Sequence, residues 1–368
     1  MFKTALEVIN KIENMGYKAY IVGGYPRDLY LNRPSIDIDI CTNATPKELK
    51  EIFENVDLSN TLYGSVTIYY NKIRFEITTF RRELKYVDNR YPVKIKYIDS
   101  LLEDIERRDF TINTLCIDTK GTTIDLINAK EDIDNKIIKV VGNTKNKIKD
   151  DSLRILRALR FATTLNFKLD DELKKYIKKY RNLLKKLSYN RKKEELDKIF
   201  SSNNVLYGID LIKELELAKP LELKNINKVV QTTTSIGIWS QLEPNNYQFS
   251  KNERELMKNI NCLLNQNILD NNILYKYGLY VCSIVGEIKG IDRKLITVMY
   301  DNLKIKNKKD ISISPKEICE LLNMKPGKFL KTIIDDLEMK LVNNNLNNNK
   351  DDLIEYIKNN YKNVKNIL

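Results

Sequence analysis

The stretch YIVGGYPRDLYLNRPSIDIDICTNATPKEL, residues 20–49, decides the fold, because it sets two acids in a segment patterned as a β-strand. Ile36-Asp37-Ile38-Asp39-Ile40 alternates apolar and acidic residues, which predicts isoleucines on a core face and both aspartates on the opposite one. Two like charges roughly 7 Å apart along a strand repel, and aspartate is a poor strand former. Two compensations suit the pair. One is a solvated sheet face with lysine or arginine opposite. The other is a divalent metal, since a hard cation such as Mg²⁺ takes carboxylate oxygens and keeps waters or phosphates as its remaining ligands.

The flanks read as small elements of both kinds. Residues 3–15 carry Ala5, Val8, Ile9 and Ile12 at helical spacing; YKAYIVGG reads as a strand and YPRDLYL as a short helix. Thr45 and Pro46 are N-cap and first-turn residues for a helix in TPKELKEIFEN. SVTIYYNKIRFEITTF reads as a hairpin turning at Asn71-Lys72. From about residue 136 the pattern is helical almost to the end, punctuated by prolines at 220, 244, 315 and 326. Within it, Lys174–Lys193 holds ten basic residues and no acid, either a solvated helix face or a phosphate-binding one. Residues 343–350, NNNLNNNK, form a low-complexity connector before a last helix.

A length of 368 residues suggests two to four compact units. The 63 Lys+Arg against 50 Asp+Glu give a net charge of +13, which favours a polyanionic partner, although a biased genome also yields a Lys- and Asn-rich chain. Five scattered cysteines without C-x-x-C spacing point to reduced thiols and a cytoplasmic protein. The N-terminal segment is amphipathic rather than a signal peptide, and no apolar run approaches membrane-spanning length. Histidine is absent, which excludes imidazole bases, Ser-His dyads and histidine-bound metals. Carboxylates working with hard cations remain.

Gly23-Gly24-x-x-Arg27-Asp28 leaves a strand and opens a helix, an arrangement that lets backbone N–H groups approach phosphate. Taken with Asp37-x-Asp39, RRDFTIN (107–113) and DDSLRILRALRFA (150–162), it resembles the ordered motifs of the bacterial-type (class II) tRNA nucleotidyltransferase and poly(A) polymerase family. The likeness covers about the first 200 residues and resumes weakly in LLNMKPGKFLKTIIDDLEMKL, similar to the family's tRNA-gripping C-terminal region.

The resemblance implies an α+β nucleotidyltransferase head with a small mixed sheet (1–135), then an all-α neck (136–200), body (201–310) and tRNA-binding tail (311–368). It makes Asp37 and Asp39 the Mg²⁺ ligands, and Glu76 the candidate third catalytic carboxylate, the alternative for Glu76 being a pair with Arg74 or Arg81. Gly23, Gly24, Arg27, Arg108, Asp109, Asn113, Asp151, Arg154, Arg157 and Arg160 would bind the nucleotide. Asp109 and Asn113 would read the ribose, with N-capping as the plainer role for Asp109.

On a helix from Asp150, Asp151, Arg154 and Arg157 fall at i, i+3 and i+6 along one side. That is either a salt-bridged solvated face or, by the resemblance, a protein template for the base. Cytosine and adenine both offer an exocyclic amine to a carboxylate and a ring nitrogen to a guanidinium, whereas guanine and uracil present a carbonyl where the amine should be. The expected activity is addition of C, C and A to a tRNA 3′ end from CTP and ATP. A poly(A) polymerase, a CC- or A-adding relative and an inert RNA-binding protein are the alternatives. Full CCA addition is favoured by residues 80–97, with Glu83, Tyr86, Asp88 and Arg90, which resemble a flexible segment that CC-adding members shorten. The chain departs from the family pattern at Asp150, at Asn190-Arg191 and at Asn128-Ala129, the last standing where glycine is frequent.

Overall fold

The computed structural model describes residues 1–87 and 91–362, without the side chains of residues 83–94. The chain packs as two compact units, Met1–Ile226 and Asn227–Leu368.

The first unit begins with α1 (Phe2–Glu13), whose Ala5, Val8, Ile9 and Ile12 are fully buried against the sheet. The chain then runs through β1 (Ala19–Val22), α2 (Gly24–Tyr30), β2 (Asp39–Thr42), α3 (Pro46–Ile52), β3 (Val56–Asp57), β4 (Ser65–Tyr70), β5 (Ile73–Thr79), β6 (Arg81–Val87) and β7 (Tyr91–Tyr97). It continues into α4 (Leu101–Glu106), β8 (Cys116–Ile117) and β9 (Thr123–Ile124). Seven strands form one mixed sheet in the order β3-β4-β5-β2-β1-β8-β9, while β6 and β7 pair as a separate ribbon. β2 runs antiparallel to β1 and parallel to β5. A capping box between Thr45 and Glu48 starts α3. Asn71 and Lys72, at φ +49° and +63°, turn the β4–β5 hairpin where both central residues must be left-handed.

The strand expected across Ile36–Ile40 is shorter than the alternation suggests. β2 begins at Asp39, and Ile36 is 77% exposed rather than in the core. Its neighbour explains the difference: β1 ends at Val22, the partner of Asp39, because Gly23 at φ +85° diverts the backbone into α2. Asp37 therefore has no β1 residue left to pair with, and the acids sit at the mouth of the sheet.

Helices complete the unit: α5 (Ala129–Asp134), α6 (Thr144–Asp150), α7 (Leu153–Leu165), α8 (Asp171–Tyr180), α9 (Tyr189–Phe200) and α10 (Val205–Glu214). The helix expected from Asp150 starts at Leu153, and Asp150 instead ends α6. Asp151 is extended (φ −140°, ψ +102°) between α6 and α7, and its Oδ1 accepts the Leu153 N–H at 2.9 Å. Aspartate competes with the helix for a local N–H, and α7 begins two residues later at Leu153. The basic run also differs from a uniform face. Lys174 pairs with Glu214, Lys178 and Arg181 with Glu216, Lys193 with Asp197, and Lys192 is buried over the Tyr189 ring.

The second unit is helical in its described residues. Helices 235–242, 251–263, 271–289 and 293–301 enclose one core around Ile260, Leu274, Cys282, Val285 and Ile296. Helices 315–322, 329–342 and 350–361 enclose another around Ile318, Ile333, Leu337 and Leu353. The stretch 325–328 is an exposed turn between two helices of the second core. No helix among the described residues is long and apolar enough to cross a membrane.

Candidate active site

A cleft of about 610 Å³ in the first unit is walled by the C-terminal end of β1, the start of β2, the segment after α4 and the first turns of α7. It gathers Gly23, Gly24, Arg27, Asp37 and Asp39 with Arg108, Asp109 and Asn113, and with Asp151, Arg154, Arg157 and Arg160. Residues separated by more than a hundred positions thus share one concave surface.

Asp39 lies between β1 and β5, with Glu76 as its register partner on β5 one strand spacing away. Asp39 is exposed at the cleft mouth, but the protein around its carboxyl strips away part of its water and, reinforced by the Glu76 and Asp37 carboxylates, pushes the carboxyl above the usual range, while Arg108 and Arg74 oppose the shift. Among the described residues neither the Asp37 nor the Asp39 carboxylate forms an ion pair or hydrogen bond, nor does Glu76 pair with Arg74 or Arg81. Both acids are exposed, and Arg108 and Arg74 act on Asp39 through space rather than by contact. No three acidic or cysteine side chains converge as a self-sufficient metal cage among the described residues. Two carboxylates with open positions beside them suit Mg²⁺, which ordinarily takes one or two carboxylates and completes its shell with water and phosphate. Gly23 keeps that space open: a Cβ there would stand 3.1 Å from Asp39 Oδ2.

Arg27 is fixed on three sides. Its Nε and Nη2 donate to Asp28 Oδ1 at 2.9 and 2.8 Å, and Nη1 donates to Asn113 Oδ1 at 2.5 Å. Asn113 Nδ2 donates onward to Asp109 Oδ1 at 3.3 Å. Asp109 Oδ2 accepts from Arg157 Nη2 at 2.5 Å, and its Oδ1 also accepts the Phe110 N–H. Asp109 is not the N-cap of the short 3₁₀ turn Thr111–Asn113, a position held by Phe110. Burial alone would raise the Asp109 carboxyl, but Arg157 beside it brings it down to about 2.

Arg154 is buried and donates from Nη1 to the Lys147 carbonyl at 2.8 Å. No ion pair joins Asp151 to Arg154 among the described residues, so the plain salt-bridge reading does not hold. Burial pushes the Asp151 carboxyl up, with Arg154 partly countering it. Asp151 Oδ2 accepts no hydrogen bond within the described structure. Phe161 closes the wall, its ring edge-on to Phe110 and bordered by the Arg27, Arg157 and Arg160 guanidiniums at 5.3, 5.6 and 4.0 Å. Arg160 Nε donates to the buried Glu195 carboxylate at 2.6 Å.

Five further residues line the wall beyond those expected from the sequence, Asp28, Ser35, Arg81, Arg107 and Phe161, and Asp104 lies behind it. Asp104, Arg107 and Arg108 stand at i, i+3 and i+4, a helical pairing pattern that was there to be read. The side chains of Glu83, Tyr86, Asp88 and Arg90 lie outside the described residues.

The chain is 34% identical to a CCA-adding enzyme of Ligilactobacillus salivarius over 97% of this chain and 96% of that one. It is 33% identical to a CCA-adding enzyme of Listeria monocytogenes over 97% and 98%. The chain belongs to the CCA-adding enzyme family. Within it, a family model of the poly A polymerase head domain matches residues 19–139, one of the RNA- and SrmB-binding site of polymerase A matches 166–226, and one of tRNA nucleotidyltransferase domain 2 matches 245–357. The fold is shared with a solved Bacillus stearothermophilus CCA-adding enzyme in complex with CTP, at TM-score 0.79 and 24% identity over 100% of this chain and 99% of that one.

Proposed function

We propose that this member of the CCA-adding enzyme family adds C, C and A to the 3′ end of tRNA from CTP and ATP, without a nucleic-acid template, in the cytoplasm. The tRNA 3′-hydroxyl attacks the α-phosphorus of the nucleotide, a new P–O bond forms, and diphosphate leaves. The observation that carries this reading is the pairing of two uncompensated acids with a wall of arginines in one cleft.

Asp37 and Asp39 are the proposed ligands of Mg²⁺, and Glu76 the carboxylate behind them. When bound, the metal supplies charge that lowers the pKa of the attacking hydroxyl and offsets charge on the triphosphate. The chain's own part is positioning, since phosphoryl transfer asks little covalent chemistry of the protein. Gly23 and Gly24 let the phosphates approach the backbone, while Arg108 supplies fixed positive charge. Arg27 is held in place by Asp28 and Asn113. Asp109 and Asn113 reach the ribose with the capacity left after they orient Arg157 and Arg27.

Asp151 and Arg154 read the base. The uncommitted Asp151 Oδ2 accepts the exocyclic amine of cytosine or adenine, and Arg154 donates to the ring nitrogen. A carbonyl facing Asp151 leaves two acceptors opposed, at a cost of roughly 1–3 kcal/mol. Within this reading the head spans 1–135, the neck 136–200, the body 201–310 and the tail 311–368.

The test is incubation with tRNA lacking its 3′ end and each nucleotide, alone and mixed, with product sequencing; CCA is the expected product. In Asp151→Ala the kcat/KM preference for CTP and ATP over UTP and GTP should fall by roughly 10–100-fold. Equal loss with all four nucleotides would place specificity elsewhere.

A further inference from the structure

Two carboxylates that form no ion pair among the described residues share their cleft with seven arginines. A guanidinium that reached Asp39 would neutralise it and cover an oxygen that a cation needs. Most of the arginines are visibly restrained: Arg27 by Asp28 and Asn113, Arg157 by Asp109, Arg160 by Glu195, and Arg154 by the Lys147 carbonyl.

Arg108 depends on a residue outside the cleft wall, one that also binds Arg107. Asp104, on α4, is fully buried. Its Oδ1 accepts from Arg107 Nε at 2.7 Å and from the Arg81 backbone N–H at 3.2 Å; its Oδ2 accepts from Arg108 Nη2 at 3.0 Å. Burial alone would raise this carboxyl, but the two guanidiniums hold it below the usual range, so it stays charged. Arg108 Nε is buried without a hydrogen-bond partner. Asp104 Oδ2 is thus the only acceptor for the Arg108 side chain among the described residues. Arg108 is also the guanidinium felt most strongly at Asp39. Arg108 and Asp39 line the same cleft without touching.

We propose that Asp104 is a positioning residue that retains Arg107 and Arg108 against α4, so that they face the nucleotide's phosphates and leave the Asp37–Asp39 pair open to a divalent cation. The inference rests on the reading of that pair as the metal site. Without the Asp104 charge, Arg108 turns to Asp39 and competes with the metal.

The test is Mn²⁺ binding to the full chain without substrate, followed by electron paramagnetic resonance, with CTP addition measured across metal concentrations in parallel. In Asp104→Asn the Mn²⁺ dissociation constant should rise roughly fivefold, the size of one partly exposed ion pair. The metal concentration for half-maximal addition should move with it, and excess metal should restore most of the rate. Asp104→Glu keeps the charge and should shift less; it decides the matter if Asp104→Asn does not fold. Unchanged Mn²⁺ affinity, with activity lost evenly at every metal concentration, would make Asp104 merely structural. Asp37→Ala separates the two readings. If it binds Mn²⁺ as the wild type does, both fall; if it loses the ion while Asp104→Asn keeps it, only the role of Asp104 falls.

Discussion

Asp109 illustrates how one neighbour decides the state of a buried acid. Arg157 holds its pKa near 2, below the 3.8 of a free aspartate, so ionised Asp109 stabilises the folded state. That contribution is complete above about pH 4 and is lost as pH falls from there toward 2, a span worth about 2 kcal/mol. Asp109→Asn should therefore lower the unfolding free energy at pH 6 by about this amount and flatten its decline on acidification, as urea titrations at several pH values would show. Single residues were unevenly legible. The acids, the diglycine and the arginines of DDSLRILRALRFA announced themselves through type and spacing. Asn128 read only as a departure from a frequent glycine; its φ of +60° explains both, since asparagine is among the few side chains that tolerate the left-handed region.

At the scale of elements, periodicity located helices and strands but not their ends. The start of β2 is set by where β1 stops, and the break between α6 and α7 by a side chain taking a backbone N–H; neither is a property of the local pattern. Packing between helices was equally hidden. Gly208 on α10 rests where a Cβ would lie 2.7 Å from both Ile199 Cγ2 and Thr163 Oγ1, so α10 crosses α9 and α7 closely at this point. Gly208→Ala should cost about 1–3 kcal/mol through overpacking, read as a lower thermal midpoint, although alanine is the better helix former. A gain in stability would mean that the three helices adjust freely.

For the whole molecule, a charge of +13 becomes informative only once pairing is known. Much of the basic run after Lys174 is engaged by Glu214, Glu216 and Asp197, whereas Lys175 and Lys185 are exposed and in no ion pair among the described residues. Reversing Lys175 and Lys185 to glutamate should weaken tRNA binding and reduce the slope of log K against log salt by about 0.7–0.9 per lost phosphate contact, leaving nucleotide preference intact. Lys174→Glu, whose lysine is already paired, should matter less. Filter-binding titrations between 50 and 200 mM salt, roughly the range where such slopes are steep, would separate the two cases.

The cleft wall also has a chemical temperament of its own. In a chain whose cations are mostly lysine, every cation lining this cavity among the described residues is arginine, and none of those residues brings an amine or a thiol to the wall. Guanidinium groups remain protonated far above neutral pH and are poor nucleophiles. Acylating agents, isocyanates and maleimides therefore find nothing to label on this surface, whereas a vicinal dicarbonyl, which condenses with guanidinium, meets a target on almost every side.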